Sequence, residues 1–339
     1  MSDLLDESVV DVLADPWDAS GTVRMDGWLE RRAISPTAMA FVALIGAFIL
    51  FQVIVSPLAV VALLMAQGVD ASALLGDVDR IIAEHAASLL TANSIGQVLG
   101  LAIPAYLLAR MHTGRPMAFL RMRRTDAVFI VLAVVGLLAI TPAIQWLGAV
   151  NEQLPLPDYI RRFEQSQIEL IERVLNVDTG LLFNVFVLAL TPALCEEVLF
   201  RGYVQRQAER GMGAAAGILF SGMVFGAYHL RFSQILPLCV LGIFLAYLVW
   251  RTGSLWPAIV VHFANNAMAV AMGAYISRRP ELELADIEQL DVPWYLLILG
   301  VTLFAVVIVG IERAAKARLA FPGASENLSE ENDHTRARS

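Results

Sequence analysis

Three charged side chains lie close together at the end of an apolar stretch of the chain. Glu196 and Glu197 follow the almost wholly apolar residues 181–191, and Arg201 stands four residues after Glu197. That interval places Glu197 and Arg201 on one face of a helix, where they can neutralise each other, and turns Glu196 about 100° away. A charge at the centre of a membrane helix costs about 2.5–3.5 kcal/mol, and such charges usually mark function. This stretch is therefore a candidate reactive site.

Two of the five histidines, His229 and His262, lie within or at the edge of apolar segments. His262 and Asn266 are four residues apart, so their side chains are predicted to project from the same face of a helix. Phe225 and His229 have the same spacing, which lets the aromatic ring pack beside the imidazole and set its angle. Both histidines are therefore candidates for the same site as the glutamates.

Counting residues from the turns predicts that these groups share one depth in the membrane. Glycines near 210–213 mark a break between two helices. Glu196 lies about fifteen residues before this break and His229 about seventeen after it, so in antiparallel helices the two come level within about 3 Å. His262 lies about ten residues past the turn at 252–253, which also places it near the middle of the membrane.

A carboxylate and an imidazole at one depth can bind a water molecule and remove its proton. A second histidine and an asparagine on one helical face can donate hydrogen bonds to an oxyanion. Together these groups would hydrolyse an amide without a covalent intermediate. Singly, each has an ordinary structural explanation, a histidine as an interhelical hydrogen-bonding group and a Glu–Arg pair as a clamp; their joint occurrence favours function.

The composition predicts that helices in a bilayer position these residues. Of 339 residues, 58% are hydrophobic and 17% charged, whereas a soluble domain has about 45–50% and about 25%. The net charge of −8 argues against a nucleic-acid-binding surface. The expected fold is an all-α polytopic membrane protein with about eight transmembrane helices, near 37–66, 92–110, 126–149, 180–200, 212–230, 234–251, 255–274 and 294–312.

The polar segments complete the predicted organisation. Apolar residues alternate with charges between 151 and 178, which predicts an amphipathic helix on the membrane surface that is either a plain interfacial element or a gate. Thirteen basic residues on one set of flanks against seven on the other predict that both termini are cytoplasmic, in a cell-membrane protein. The expected divisions are a disordered acidic tail at 1–34, N-terminal helices with the amphipathic loop at 35–179, a catalytic core at 180–275, a last loop and helix at 276–320, and a disordered tail at 321–339.

Three short motifs carry a family resemblance. "EEVLFRG", "FGAYH" and "HFANN" resemble the EExxxR, FxxxH and HxxxN motifs of the CPBP (Abi) family, which contains type II CAAX prenyl endopeptidases and proteins linked to bacteriocin self-immunity. The similarity covers residues 180 to about 275, the fourth to seventh predicted transmembrane helices. The first three helices and both tails show no such resemblance.

The resemblance implies a role for each motif residue. Glu196 and His229 would activate the water, His262 and Asn266 would form the oxyanion hole, and Glu197 and Arg201 would support the first glutamate.

The implied activity is an intramembrane endopeptidase whose partners are the lipid bilayer and a membrane-bound or lipidated peptide. The favoured mechanism requires no cofactor, while the alternative is a zinc site with Glu196, His229 and His262 as ligands. A non-catalytic scaffold or self-immunity protein, and a proton-coupled transporter, are the competing functions.

Overall fold

The computed structural model describes residues 11–14, 16, 17, 21–70, 78–175, 177, 179–277, 279 and 292–320. This part of the chain is mainly helical, with one antiparallel pair of short strands, β1 (Asp11–Ala14) and β2 (Thr22–Met25). Its longer helices are α1 (Pro36–Ala66), α2 (Arg80–His112), α3 (Ala127–Glu152), α4 (Asp158–Leu175), α5 (Leu181–Met212), α6 (Ala214–Tyr228), α7 (Ile235–Thr252), α8 (Trp256–Ile276) and α9 (Trp294–Ala320).

The predicted all-α polytopic membrane fold is confirmed. Seven helices of the described residues are long and apolar enough to cross a membrane: α1, α2, α3, α5, α7 with the turn before it, α8 and α9. The remaining predicted segment, 212–230, the fifth in chain order, corresponds to α6, which has only 15 residues. At 1.5 Å per residue α6 is about 22 Å long, shorter than the roughly 30 Å hydrocarbon core. It is short because Gly213 precedes it with φ at 84° and Leu230 follows with φ at 54°.

Proline residues widen three of the membrane helices. Because proline lacks an N–H group, it cannot complete the regular bond to the carbonyl four residues earlier, and the preceding turn relaxes into π-helix. These three π-helical segments are Ile49–Val55 before Pro57, Val98–Ala102 before Pro104, and Phe186–Leu190 before Pro192. A fourth, Val198–Val204 in α5, is followed by no proline.

The prediction that residues 1–34 are a disordered tail is wrong for residues 21–34. Residues 1–10 and the predicted tail 321–339 lie outside the described residues, but β2 is ordered and buries Val23 and Met25 in the core. The N–H groups of Gly27 and Leu29 then donate to carbonyls at the end of α2. Two apolar residues on one face of the strand and these backbone hydrogen bonds dock the segment, although its overall composition is polar.

A buried polar cluster joins the N-terminal segment to the far end of α5. The Glu30 carboxylate accepts two 2.9 Å bonds from Arg210 and one of 2.5 Å from Nδ1 of His112. Nε2 of the same histidine lies 2.8 Å from the hydroxyl of Tyr203. Burial by itself raises the pKa of Glu30, but the hydrogen bonds from His112 and Arg210 outweigh it, so the net shift of this pKa is downward.

Helices α5 to α8, the fourth to seventh predicted spans, pack together around the motif residues. α6 packs between α5 and α7, and α8 packs on α5, α7 and α3. The α6–α7 contact requires glycine, since a Cβ at Gly222 would lie 2.5 Å from the backbone nitrogen of Ile243. Close backbone approach is what brings residues of these helices to one site.

The amphipathic helix expected within 151–178 is confirmed as α4. It packs against α2, and its contacts with the α6–α7 loop are described below. Tyr159 and Phe163, one turn apart, are exposed on its outer side. Its placement on a membrane surface stays a prediction.

Candidate active site

The candidate site contains a buried ion pair between Glu197 and Arg201. Nη1 of Arg201 donates to Oε1 of Glu197 over 2.6 Å, and both side chains have zero exposure. The second guanidinium nitrogen, Nη2, donates to the backbone carbonyl of Gly242 on α7 over 3.2 Å. The predicted pair is therefore present, and it ties α5 to α7. The Gly242 acceptor was not predicted, because a backbone carbonyl has no side-chain signature in the sequence.

The second partner of Glu197 is His262. Nδ1 of His262 lies 2.8 Å from Oε1 of Glu197, the same oxygen that accepts from Arg201. Sequence analysis expected Glu197 and Arg201 to support Glu196. In the structure Glu197 contacts His262 directly, so the ring of His262 is held from α5 across the helix interface.

Glu196 faces both imidazoles. Its Oε2 atom lies 4.0 Å from Nε2 of His229 and 3.9 Å from Nε2 of His262. These separations exceed a direct hydrogen bond, but one water molecule can bridge two polar atoms at such a distance. The prediction that the acid and the imidazoles come level is confirmed, since each Nε2 atom lies within 4.0 Å of the Glu196 carboxylate.

The hydrogen bonds at Nδ1 set the direction of both rings. Nδ1 of His229 lies 2.7 Å from the carbonyl oxygen of Phe225, one turn earlier, where only a protonated Nδ1 can donate. Nδ1 of His262 likewise donates to the Glu197 carboxylate. Both rings therefore direct Nε2 at Glu196, and in a neutral ring that nitrogen is an acceptor.

Phe225 contacts three of the polar side chains at once. Its ring centroid is 4.7 Å from that of His229 and 5.5 Å from that of His262, both in edge-on arrangements. The guanidinium carbon of Arg201 lies 4.2 Å from the same centroid, at cation–π distance. The predicted packing beside His229 is confirmed, while the contacts with the other two were not foreseen because they join different helices.

Asn266 is one turn beyond His262 on α8 and is partly buried. Its amide nitrogen lies 3.5 Å from the carbonyl of Leu188 on α5, and its side-chain oxygen accepts a 3.2 Å bond from Asn265. Adjacent residues of a helix project about 100° apart, yet the side chain of Asn265 reaches that of Asn266. The bond to Leu188 is long, so the Asn266 amide has capacity to donate elsewhere.

The residue types around Glu196 are those that bind zinc, but their spacing differs from that of a zinc site. Each imidazole has an outer partner at Nδ1, as histidine ligands usually do. Ligand atoms about 2.0–2.1 Å from a tetrahedral zinc ion lie about 3.3 Å from one another, whereas the acid and imidazole atoms here are 3.9 and 4.0 Å apart. Within the part of the chain that the structure describes, no group of three or more His, Cys, Asp or Glu side chains has a metal-holding arrangement.

Comparison with known proteins places the candidate site inside a family match. The family model described as type II CAAX prenyl endopeptidase Rce1-like matches residues 178–268, about a quarter of the chain. No curated protein and no solved structure matches the chain. The matched segment contains all six predicted site residues. The match confirms the resemblance to the CPBP family, and with the apolar helices it identifies this multi-pass membrane protein, at the family level, as similar to CAAX-type intramembrane proteases.

Proposed function

We propose that the protein is an intramembrane endopeptidase that hydrolyses a peptide bond of a membrane-associated or lipidated substrate. The observation that carries the proposal is the position of Oε2 of Glu196 within 4.0 Å of Nε2 of both His229 and His262. Each of these three groups sits on a different helix, and only a folded arrangement brings them together. The family match supports the reaction class.

The first chemical step is removal of a proton from water. A water molecule between Glu196 and His229 donates one hydrogen to the carboxylate and the other to the Nε2 lone pair of the imidazole. Glu196 takes the first proton as general base while the water oxygen attacks the carbonyl carbon of the scissile bond. The bond from Nδ1 of His229 to Phe225 keeps the acceptor nitrogen aimed at this water.

The second requirement is stabilisation of the oxyanion that forms on the substrate. His262 can donate from Nε2 only as an imidazolium, because its Nδ1 hydrogen is engaged by Glu197. The Glu197 carboxylate compensates that positive charge, and Asn266 supplies a neutral amide donor one turn away. Two donors of this kind are the usual means of lowering the barrier of acyl transfer.

Collapse of the tetrahedral intermediate completes the reaction. The carbon–nitrogen bond breaks, Glu196 returns its proton to the leaving nitrogen, and a carboxylic acid and an amine are released. Every step uses side chains of this chain, and none passes through a metal. The proposed substrate class is supported by the family description, which names a CAAX prenyl endopeptidase, and by a site built into membrane helices. Residence in the cell membrane with both termini cytoplasmic belongs to the same proposal.

The test is cleavage of a defined peptide by the purified full-length protein in detergent. A farnesylated peptide and its unprenylated twin are offered to the wild type and to the Glu196→Gln, His229→Ala and Glu152→Gln variants. Glu152 is an exposed carboxylate at the end of α3 and serves as the matched control. We expect Glu196→Gln to lose at least a hundredfold in rate with an unchanged fold, because Oε2 of Glu196 has no direct hydrogen-bond partner in the structure.

Two results would contradict the proposal. Cleavage that survives both Glu196→Gln and His229→Ala would remove the assigned base and its partner. A wild type that cleaves nothing, together with a Glu196→Gln variant that retains the cellular effect of the protein, would favour the scaffold or self-immunity function. Elemental analysis and a chelator added to the same assay test the zinc alternative, since a metal-free sample with full activity excludes it.

A further inference from the structure

The loop that follows His229 has a backbone conformation that needs outside support. His229 directly follows the last residue of α6, and Leu230 after it has φ at 54°. A branched residue in this left-handed region is strained, and such strain persists only where surrounding contacts hold it. The six residues 229–234 connect α6 to α7, so whatever fixes this loop also fixes the position of the His229 ring.

Asn151 at the end of α3 holds the loop on one side. It is fully buried, and its amide nitrogen donates to the carbonyl of Phe232 while its oxygen accepts from the N–H of Leu236, both over 2.8 Å. Leu236 lies in the first turn of α7, where N–H groups have no partner within the helix. One amide therefore caps α7 and binds the loop at the same time.

Glu164 on α4 holds the loop from a second side. Its carboxylate accepts a 3.0 Å bond from the backbone N–H of Ser233, and only 5% of the residue is exposed. Among the α4 side chains that the structure describes, it alone is buried, whereas Tyr159 and Phe163 are 69% and 48% exposed. Burying a carboxylate is costly unless a donor satisfies it, so its inward position indicates a specific contact rather than a solvated helix face.

We infer that Asn151 and Glu164 are positioning residues, which hold the α6–α7 loop so that Nε2 of His229 stays within reach of Glu196. They contact neither the water nor the substrate in the proposed reaction and act through the backbone of residues 232–236. The effect on rate rests on the proposed function, but the effect on the loop does not. On this inference α4 supports the site through the contact of Glu164 with the α6–α7 loop, in addition to any role as an interfacial helix.

The experiment compares four variants of the full-length protein in detergent. Glu164→Met removes the acceptor and keeps the volume, while Glu164→Gln keeps an oxygen that can accept from Ser233. Asn151→Ala removes the other contact. Glu169→Ala, an exposed carboxylate on the same helix, is the matched control.

Two readouts report the loop without using activity. Diethyl pyrocarbonate labels imidazoles, and the rate at His229 is measured by mass spectrometry relative to His85 on α2. Amide hydrogen exchange of residues 229–236 is followed in the same samples. We expect Glu164→Met and Asn151→Ala to raise both the labelling rate and the exchange rate at least threefold. Glu164→Gln and Glu169→Ala should stay within a factor of two of the wild type.

Kinetics supply the third readout. With a peptide that the wild type cleaves, kcat of Glu164→Met should fall about tenfold or more while KM stays within a factor of two, because misplacing a reacting group affects the chemical step. The kcat of Glu164→Gln should be close to that of the wild type. Wild-type labelling and exchange in Glu164→Met would overturn the inference, even if Asn151→Ala fails to fold. If the wild type cleaves nothing, the proposed function fails, and the labelling experiment still decides whether these residues hold the loop.

Discussion

The buried pair of Glu197 and Arg201 offers a test in which stability and activity should respond differently. Glu197 accepts two hydrogen bonds from cationic or polarised donors, at 2.6 Å from Arg201 and 2.8 Å from His262, with no exposure to solvent. Bonds to charged groups contribute about 1.5–3 kcal/mol each, so Glu197→Leu should lose about 3–6 kcal/mol of the free energy of unfolding. This agrees with the about 3–5 kcal/mol expected when one partner of a buried pair is removed.

The double variant Glu197→Leu/Arg201→Met should recover most of that stability. An apolar pair of similar volume leaves no uncompensated charge, and such replacements are often neutral or stabilising. We expect a stability within about 2 kcal/mol of the wild type. Activity should not recover, because Nδ1 of His262 still lacks its acceptor. Arg201→Met alone should keep more activity than Glu197→Leu, since it leaves the contact between Glu197 and His262 in place.

Unfolding of the purified variants by a denaturing detergent in mixed micelles measures the stabilities, and peptide cleavage measures the activities. A coupling energy near zero between positions 197 and 201 would refute the reasoning, since it would mean that the two side chains do not depend on each other. Recovery of full activity in the double variant would also refute it, because His262 would then need no carboxylate partner.

Three further predictions concern other parts of the molecule. The pKa of Glu30 is lowered in the folded protein, so the stability that Glu30 contributes is complete above the ordinary value of 4.5 and is lost as the pH falls through the folded-state pKa. Glu30→Gln should therefore weaken the dependence of the free energy of unfolding on pH in the acidic range. Gly222→Ala should destabilise the protein by about 1–3 kcal/mol in the same detergent-unfolding assay, because of overpacking between α6 and α7. Gly148→Ala, with no atom within 4 Å of the added methyl, should be neutral or stabilising. Phe225→Leu should lower kcat about tenfold with a small change in KM, because the ring that sets the angle of His229 is lost; an unchanged pH–rate profile and rate would contradict this.

Helical spacing predicted contacts within one helix and the level at which groups lie, because both follow from the fixed rise and rotation per residue. The pair of Glu197 with Arg201, the packing of Phe225 beside His229, and the meeting of Glu196 with His229 were all predicted on this basis. The family match covers the same residues.

Contacts between helices were predicted less well, because they depend on how each helix is rotated and how closely it packs. The hydrogen bond from His262 to Glu197 is an example, because the residue spacing within each motif does not predict whether the ring of His262 contacts Glu196 or Glu197. Order in β2 was also missed, because docking against the bundle, rather than local composition, stabilises it.

The sequence by itself determined that this is a multi-pass membrane protein, where its helices run, and which side chains are candidates for amide hydrolysis. Those properties are set by composition and by periodicity, which are local. The tertiary structure alone decided that Asn151 and Glu164 reach the loop after His229, and that one oxygen of Glu197 serves both Arg201 and His262. Such contacts join residues far apart in the chain, and only the packing of the helices brings their atoms within hydrogen-bonding distance.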